Sequence, residues 1–104
     1  MLVYIIGYRW CKHFQNAVKL LSKFDPNLII VPSETPNRAL LLQKVRKIIK
    51  GNSVIYHPAP TSPQIILQYK ETAICVPGET ELKSILKEKD LKTFCMDTIQ
   101  CKTL

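Results

Sequence analysis

Cys11 is the residue best placed to do chemistry. It sits within Leu2 to Phe24, LVYIIGYRWCKHFQNAVKLLSKF, at the point where one pattern gives way to another. Leu2–Ile6 is a continuous apolar run, the mark of a strand covered on both faces. Gly7–Trp10 is a short polar and aromatic bend. From Phe14 the apolar residues Phe14, Ala17, Val18, Leu20, Leu21 and Phe24 recur with the period of one helix face. A cysteine at a strand-to-helix junction meets the first-turn amides, which lack partners inside the helix, and the positive end of the helix dipole. Both favour a thiolate, the form that acts as a nucleophile. Arg9 and Lys12 flank it and favour the anion further.

Other chemistry-bearing residues have plainer readings. Cys75 lies in an apolar strand and reads as a small buried hydrophobe, with a resolving role toward Cys11 as the sharper alternative. Cys95 and Cys101 lie in the tail, as ordinary thiols or as partners in a regulatory or intermolecular disulfide. There is no paired C-x2–4-C and no second half-site with histidines, so no metal is expected. His13 reads as solvent-facing, with a general base as the sharper alternative, since disulfide exchange can proceed without one. His57 belongs to a loop. Trp10 is either the lip of a ligand cleft or a core aromatic.

The elements that position Cys11 follow in order. A helix over about Lys12–Phe24 ends before Asp25-Pro26-Asn27, a turn signal. Leu28–Val31 reads as a second buried strand, completing a parallel βαβ unit. Thr35 before Pro36 reads as the N-cap of a second helix over about Asn37–Lys50, stopped by Gly51. Val54-Ile55-Tyr56 is a short strand or an inserted loop. His57–Pro63 holds three prolines and cannot be helix. Pro63–Leu67 and Thr72–Val76 form an antiparallel pair joined by a turn at Gln68–Glu71. Glu79-Thr80-Glu81 opens a third helix, its acids suited to the dipole. A short helix near Leu91–Met96 and a loose tail complete the chain. The order predicts a mixed sheet with helices on its faces.

Length and composition set the frame. The 104 residues make one domain able to bury a single core. Fifteen basic residues against eight acidic give a net charge of +7, which favours anionic partners such as glutathione, phosphates or acidic protein surfaces. The basic residues are spread along the chain apart from Lys44, Arg46, Lys47 and Lys50, and no aromatic–basic stripe accompanies them. Nucleic-acid binding is therefore not expected. No run is long enough to span a membrane. The apolar start lacks the charged lead of a secretory signal, so four cysteines in this chain are expected as reduced thiols and the protein as cytoplasmic.

Three separated motifs carry a resemblance. Trp10-Cys11-Lys12-His13-Phe14 follows a strand and opens a helix. Thr61-Ser62-Pro63-Gln64-Ile65 leads into a strand. Pro77-Gly78-Glu79-Thr80-Glu81-Leu82 precedes the third helix. In this order the chain, over roughly Leu2 to Lys87, resembles the glutaredoxin branch of the thioredoxin fold. The motifs are similar to that family's redox site, its Thr-Val-Pro-Gln segment with a cis proline, and its Gly-Gly-x-Asp-Asp-Leu turn.

The resemblance implies an α/β thioredoxin-like fold: a mixed four-stranded sheet flanked by three or more helices, over residues 1–88. Residues 89–104 read as a C-terminal tail, either loose or with a short helix packed on the domain. It implies thiol–disulfide exchange with glutathione as co-substrate. Cys11 would be the nucleophile. Arg9, Lys12, Ser62, Pro63, Thr80 and Glu81 would bind glutathione, with the Ser62 backbone pairing to its peptide and Glu81 accepting from its ammonium. Partners would be glutathionylated or disulfide-bonded proteins. The chain departs from the family at four points. Phe14 stands where a dithiol motif has its second cysteine, so the chemistry would be monothiol. Tyr8 replaces a frequent lysine. The Gly51–Pro63 connection is long, and Pro77 replaces a glycine. These departures leave a second expectation open, a redox-inactive interaction module of the same fold that dimerises or binds a protein partner. Cluster binding between two chains and glutathione is disfavoured by the bulk of Lys12-His13-Phe14.

Overall fold

The computed structural model describes residues 1–24, 27–34, 37–56 and 62–103. The elements run β1 (Leu2–Tyr8), α1 (Lys12–Phe24), β2 (Ile29–Ser33), α2 (Arg38–Ile49), β3 (Ser53–Ile55), β4 (Gln64–Tyr69), β5 (Thr72–Val76), α3 (Glu79–Glu88) and α4 (Leu91–Thr103). They build an α/β domain around one five-stranded mixed sheet of order β2-β1-β4-β5-β3. β1 and β2 are parallel, as are β3 and β5, while β4 runs antiparallel to both its neighbours.

Strand periodicity divides the interior into two cores. Successive strand residues point to opposite faces. Val3, Ile5, Ile65, Leu67, Ile74 and Val76 therefore pack on one face, with Phe14, Ala17 and Leu21 of α1, Leu82 of α3, and Leu91 and Cys95 of α4. Ile6, Ile66, Ala73 and Cys75 pack on the other, beneath Leu41 and Val45 of α2. Each buried aliphatic side chain contributes about 1.5–3 kcal/mol relative to exposure, so both faces hold the fold together, the first with more material.

Several elements differ from the sequence-based expectation. The sheet has five strands rather than four, because Val54 and Ile55 of β3 pack against opposite cores and so behave as a strand. β1 continues through Gly7 to Tyr8, so Gly7 is strand and not bend. β2 is an edge strand with Ile29 and Ile30 exposed, not a buried one. The N-cap of α2 is Asn37, whose side chain accepts from the amides of Ala39 and Leu40. Asp25-Pro26, Thr35, Pro36, His57 and Thr61, on which expectations also fell, lie outside the described residues.

The region after residue 88 is not a loose tail. Asp90 accepts from the Thr93 amide at 2.7 Å, starting α4 with a side-chain cap. Leu91 and Cys95 then enter the first core, with Phe94 and Ile99 packed against it. Cys95 and Cys101 are separated by about 9 Å along this helix, too far for a mutual disulfide. No described helix is long and apolar enough to cross a membrane.

Candidate functional site

β1 ends at Tyr8, and the chain turns back on itself so that the Cys11 amide donates to the Tyr8 carbonyl at 2.9 Å. The Cys11 carbonyl accepts from the Gln15 amide at 3.0 Å, so Cys11 is the residue that caps α1. Its side chain is half-buried. The Sγ lies 3.9 Å from the Ser62 carbonyl oxygen. Ser62 is itself fixed to the end of β1, its Oγ accepting from the Tyr8 amide at 3.0 Å. The Ser62–Pro63 peptide is cis and Pro63 is buried.

Gly7 makes this convergence sterically feasible. A Cβ there would stand 2.5 Å from Phe14 Cδ2 and 2.6 Å from Ser62 Oγ. The absent side chain is what lets α1 and the segment before β4 close on the same point of β1.

A groove of about 250 Å³ runs from Ser62 and Pro63 to the start of α3, lined also by His13, Pro77, Gly78, Glu79, Thr80 and Glu81. Gly78 precedes α3 with φ 135°, a conformation that favours glycine, and its carbonyl accepts from the Leu82 amide. Thr80 and Glu81 are exposed in the first turn. Four of the residues singled out from the sequence, Ser62, Pro63, Thr80 and Glu81, thus share one groove, with Cys11 beside its Ser62 end.

The other singled-out residues lie elsewhere. The Arg9 guanidinium pairs with Glu34 at 3.1 Å and does not line the groove. Lys12 is exposed in the first turn of α1 and is not part of the groove wall either. Trp10 is exposed and stacks on Tyr8, ring centroids 5.7 Å apart, so it is not a core aromatic. Cys75 belongs to the core beneath α2, whereas Cys11 packs against the opposite core. Burial pushes the Cys75 thiol up to about 11, against the thiolate a resolving role requires. Cys95 is fully buried, its thiol likewise raised to about 11 by burial and placed 3.6 Å from Met1 Sδ. Cys101 is exposed. Among the described residues, no cluster of three His, Cys, Asp or Glu side chains is arranged to hold a metal ion.

Two features were missed from the sequence. The first is Glu79, read only as a dipole-favoured acid. It is buried, with one oxygen 3.0 Å from His13 Nδ1 and the other 3.1 Å from Lys83 Nζ. Its carboxyl is held below the ordinary value of 4.5, chiefly by the His13 bond and then by Lys83. The i,i+4 spacing of Glu79 and Lys83 was visible, but the link to His13 joins two helices far apart in the chain. The second is a cavity of about 370 Å³ beyond Pro77, lined by Tyr56, Val76, Ile85 and Phe94 and sharing Pro77 and Glu81 with the groove. Comparison of the chain with protein-family models, with curated proteins and with solved structures finds no match.

Proposed function

We propose that this protein is a glutaredoxin-like thiol–disulfide oxidoreductase, built on a thioredoxin-like fold and acting through Cys11 alone with glutathione. The observation that carries the reading is the position of Cys11. It is half-buried at the start of α1, with its Sγ 3.9 Å from the Ser62 carbonyl, at the end of a groove that leads to the first turn of α3. The β1-α1-β2 unit, the antiparallel β4–β5 pair and α3 also follow one another in the order the resemblance implies, with β3 and α4 as additions.

In this reading the Cys11 thiolate attacks the glutathione sulfur of a mixed disulfide, and the partner protein leaves as its thiolate, which takes a proton from solvent. A second glutathione then attacks the sulfur carried on Cys11, releasing glutathione disulfide. Thr80 and Glu81 meet the γ-glutamyl end, where first-turn amides suit a carboxylate and Glu81 suits an ammonium. Ser62 offers backbone to the tripeptide. Phe14, buried in the core, stands where a second cysteine would otherwise resolve the mixed disulfide internally, so the cycle depends on glutathione.

Cys11→Ser tests the reading directly. Glutathione-dependent reduction of a small mixed disulfide should be lost in the variant and retained when Cys75, Cys95 or Cys101 is replaced. Equal rates in wild type and Cys11→Ser overturn it. The exposed edge strand β2, with Ile29 and Ile30 facing solvent, favours a second reading as an interaction module that pairs with another chain. A stable dimer by sedimentation, together with no exchange activity, would select that one.

A further inference from the structure

We propose that His13 is the general base that deprotonates the second glutathione, with Glu79 as the residue that positions it. This inference rests on Cys11 being the nucleophile. His13 follows Cys11 by two residues and lines the same groove as Ser62 and Pro63. Its side chain is largely exposed, at 71%, whereas that of Glu79 is only 9% exposed. A solvent-facing histidine is thus anchored on a carboxylate that is fixed in place, held on its other oxygen by Lys83.

The pairing sets the tautomer. An ionised carboxylate can only accept, so Nδ1 carries the hydrogen in the bond to Glu79. In the neutral ring Nε2 is then the acceptor, and it is directed away from Glu79. Glu79 is ionised at neutral pH because His13 and Lys83 both hold its carboxyl below the ordinary range. Glu79 is the group bonded to the ring; Lys83 on α3 and Asn16 on α1 bond Glu79 in turn, Glu81 lines the same groove, and Cys11 and Lys12 precede His13 in the chain.

The need for a base lies in the second half of the cycle. Cys11 is held in the folded site at the start of α1, but the incoming glutathione arrives from solution as a thiol, which is not the nucleophilic form. In the proposed step the glutathione sulfur gives its proton to His13 Nε2. The freed electron pair forms a bond to the glutathione sulfur already joined to Cys11. The Cys11 sulfur–sulfur bond breaks, and Cys11 leaves as a thiolate. Glutathione disulfide departs, and the imidazolium, balanced by Glu79, returns its proton to solvent. The mixed disulfide on Cys11 is the oxidant and the second glutathione the reductant, so no other co-reactant is required.

The experiment uses full-length protein glutathionylated on Cys11, and follows release by glutathione from about pH 5.5 to 9.5. In wild type the rate should level off before the glutathione thiol itself ionises, near 8.5 for an ordinary thiol. In His13→Gln it should fall about 10- to 100-fold at pH 7, within the usual range for a general base, and rise in proportion to free thiolate until it meets the wild type at high pH. Glu79→Gln should fall between the two at pH 7. In both variants loading of Cys11 by a glutathionylated protein should fall less than release, so the ratio of the two rates separates a lost base from a disturbed groove. Nitrogen-15 spectra of the His13 ring should show hydrogen on Nδ1. Matching pH profiles for wild type and His13→Gln, or hydrogen on Nε2, overturn the base while leaving Cys11 as nucleophile. Failure of Cys11 to accept glutathione overturns both.

Discussion

The two faces of the sheet are built to different depths. One is covered by α1, α3 and α4, which pack Phe14, Ala17, Leu21, Leu82, Leu91 and Cys95 against six strand residues. The other is covered by α2 alone, through Leu41 and Val45. The thicker face also carries Cys11, the His13–Glu79 link and the α3 end of the groove. The difference teaches that the site depends on helix-to-helix placement. Cys11 and His13 open α1, Thr80 and Glu81 open α3, and Glu79 and His13 join the two starts. Among the described residues, α2 is the one helix whose buried side chains cover the other face, and the cysteine there, Cys75, is sealed in.

The sharpest way to break the comparison is thiol modification. Cys11 and Cys101 have exposed surface, while Cys75 and Cys95 are buried and their thiols pushed up to about 11. At pH 8 a thiol of that kind is ionised to roughly one part in a thousand. Iodoacetamide should therefore label Cys11 and Cys101 at least about a hundredfold faster than the buried pair in native protein. Mass spectrometry of a labelling time course reads this out. Rapid labelling of Cys75 would mean that the α2 face opens far more readily than its packing implies.

Next in size is the energetic asymmetry. Leu21 and Leu41 are both fully buried, one on each face. Leucine-to-alanine changes in cores cost about 2–5 kcal/mol. Leu21→Ala should lie toward the upper end, because α3 and α4 hold the surroundings of its cavity apart. Leu41→Ala should lie toward the lower end, because α2 can settle onto the sheet. Urea midpoints with an unchanged slope would measure the difference. Equal costs would refute the idea that the added helices make the first face stiffer.

Gly7→Ala should cost about 1–3 kcal/mol, the range for forcing a methyl into a filled site. The added Cβ would press on Phe14 and on Ser62 Oγ together. Because Ser62 also faces Cys11, the proposed disulfide exchange should slow by more than the loss of stability accounts for. Activity and denaturant midpoint measured on one sample separate the two. A variant that loses stability but keeps full activity would show that Ser62 can shift without moving the site.

How much of this was legible depended on whether the information was local. The helix face of Phe14, Ala17 and Leu21 and the place of Cys11 ahead of it could be read by period alone. So could the β4–β5 hairpin, although β4 runs on to Tyr69 and the expected turn at Gln68–Glu71 narrows to Lys70 and Glu71. What failed was what topology decides. Leu28–Val31 is as apolar as a central strand, yet the strand order puts β2 at an edge and exposes Ile29 and Ile30. The long α4 was hidden by Thr98, Gln100 and two cysteines, although Asp90 as a cap and Cys95 as an apolar residue on the Leu91 face were usable signals. Arg9 lies next to the site in sequence, but its guanidinium turns to Glu34. His13 and Glu79 are 66 residues apart and meet only because α1 and α3 pack side by side.

The smallest expected effect isolates that last contact. Glu79 has its carboxyl lowered from 4.5 by hydrogen bonds from His13 and Lys83. A group whose folded value is depressed binds its proton more readily in the unfolded chain, so acid favours unfolding. The stabilisation is fully present above the ordinary value and drains away as pH falls below 4.5 and then through the lower folded value. Glu79→Gln should therefore be less stable than wild type at pH 7, and the gap should close on acidification. The matching change on the thin face is Lys44→Met, which removes the Nζ donor to the Pro32 carbonyl and should give a pH-independent difference over the same range. Thermal midpoints of the three proteins between pH 3 and 7 test both expectations. If the Glu79→Gln gap persists at pH 3, the carboxylate charge is not what ties α1 to α3, and the stiffness of the thicker face comes from its apolar packing alone.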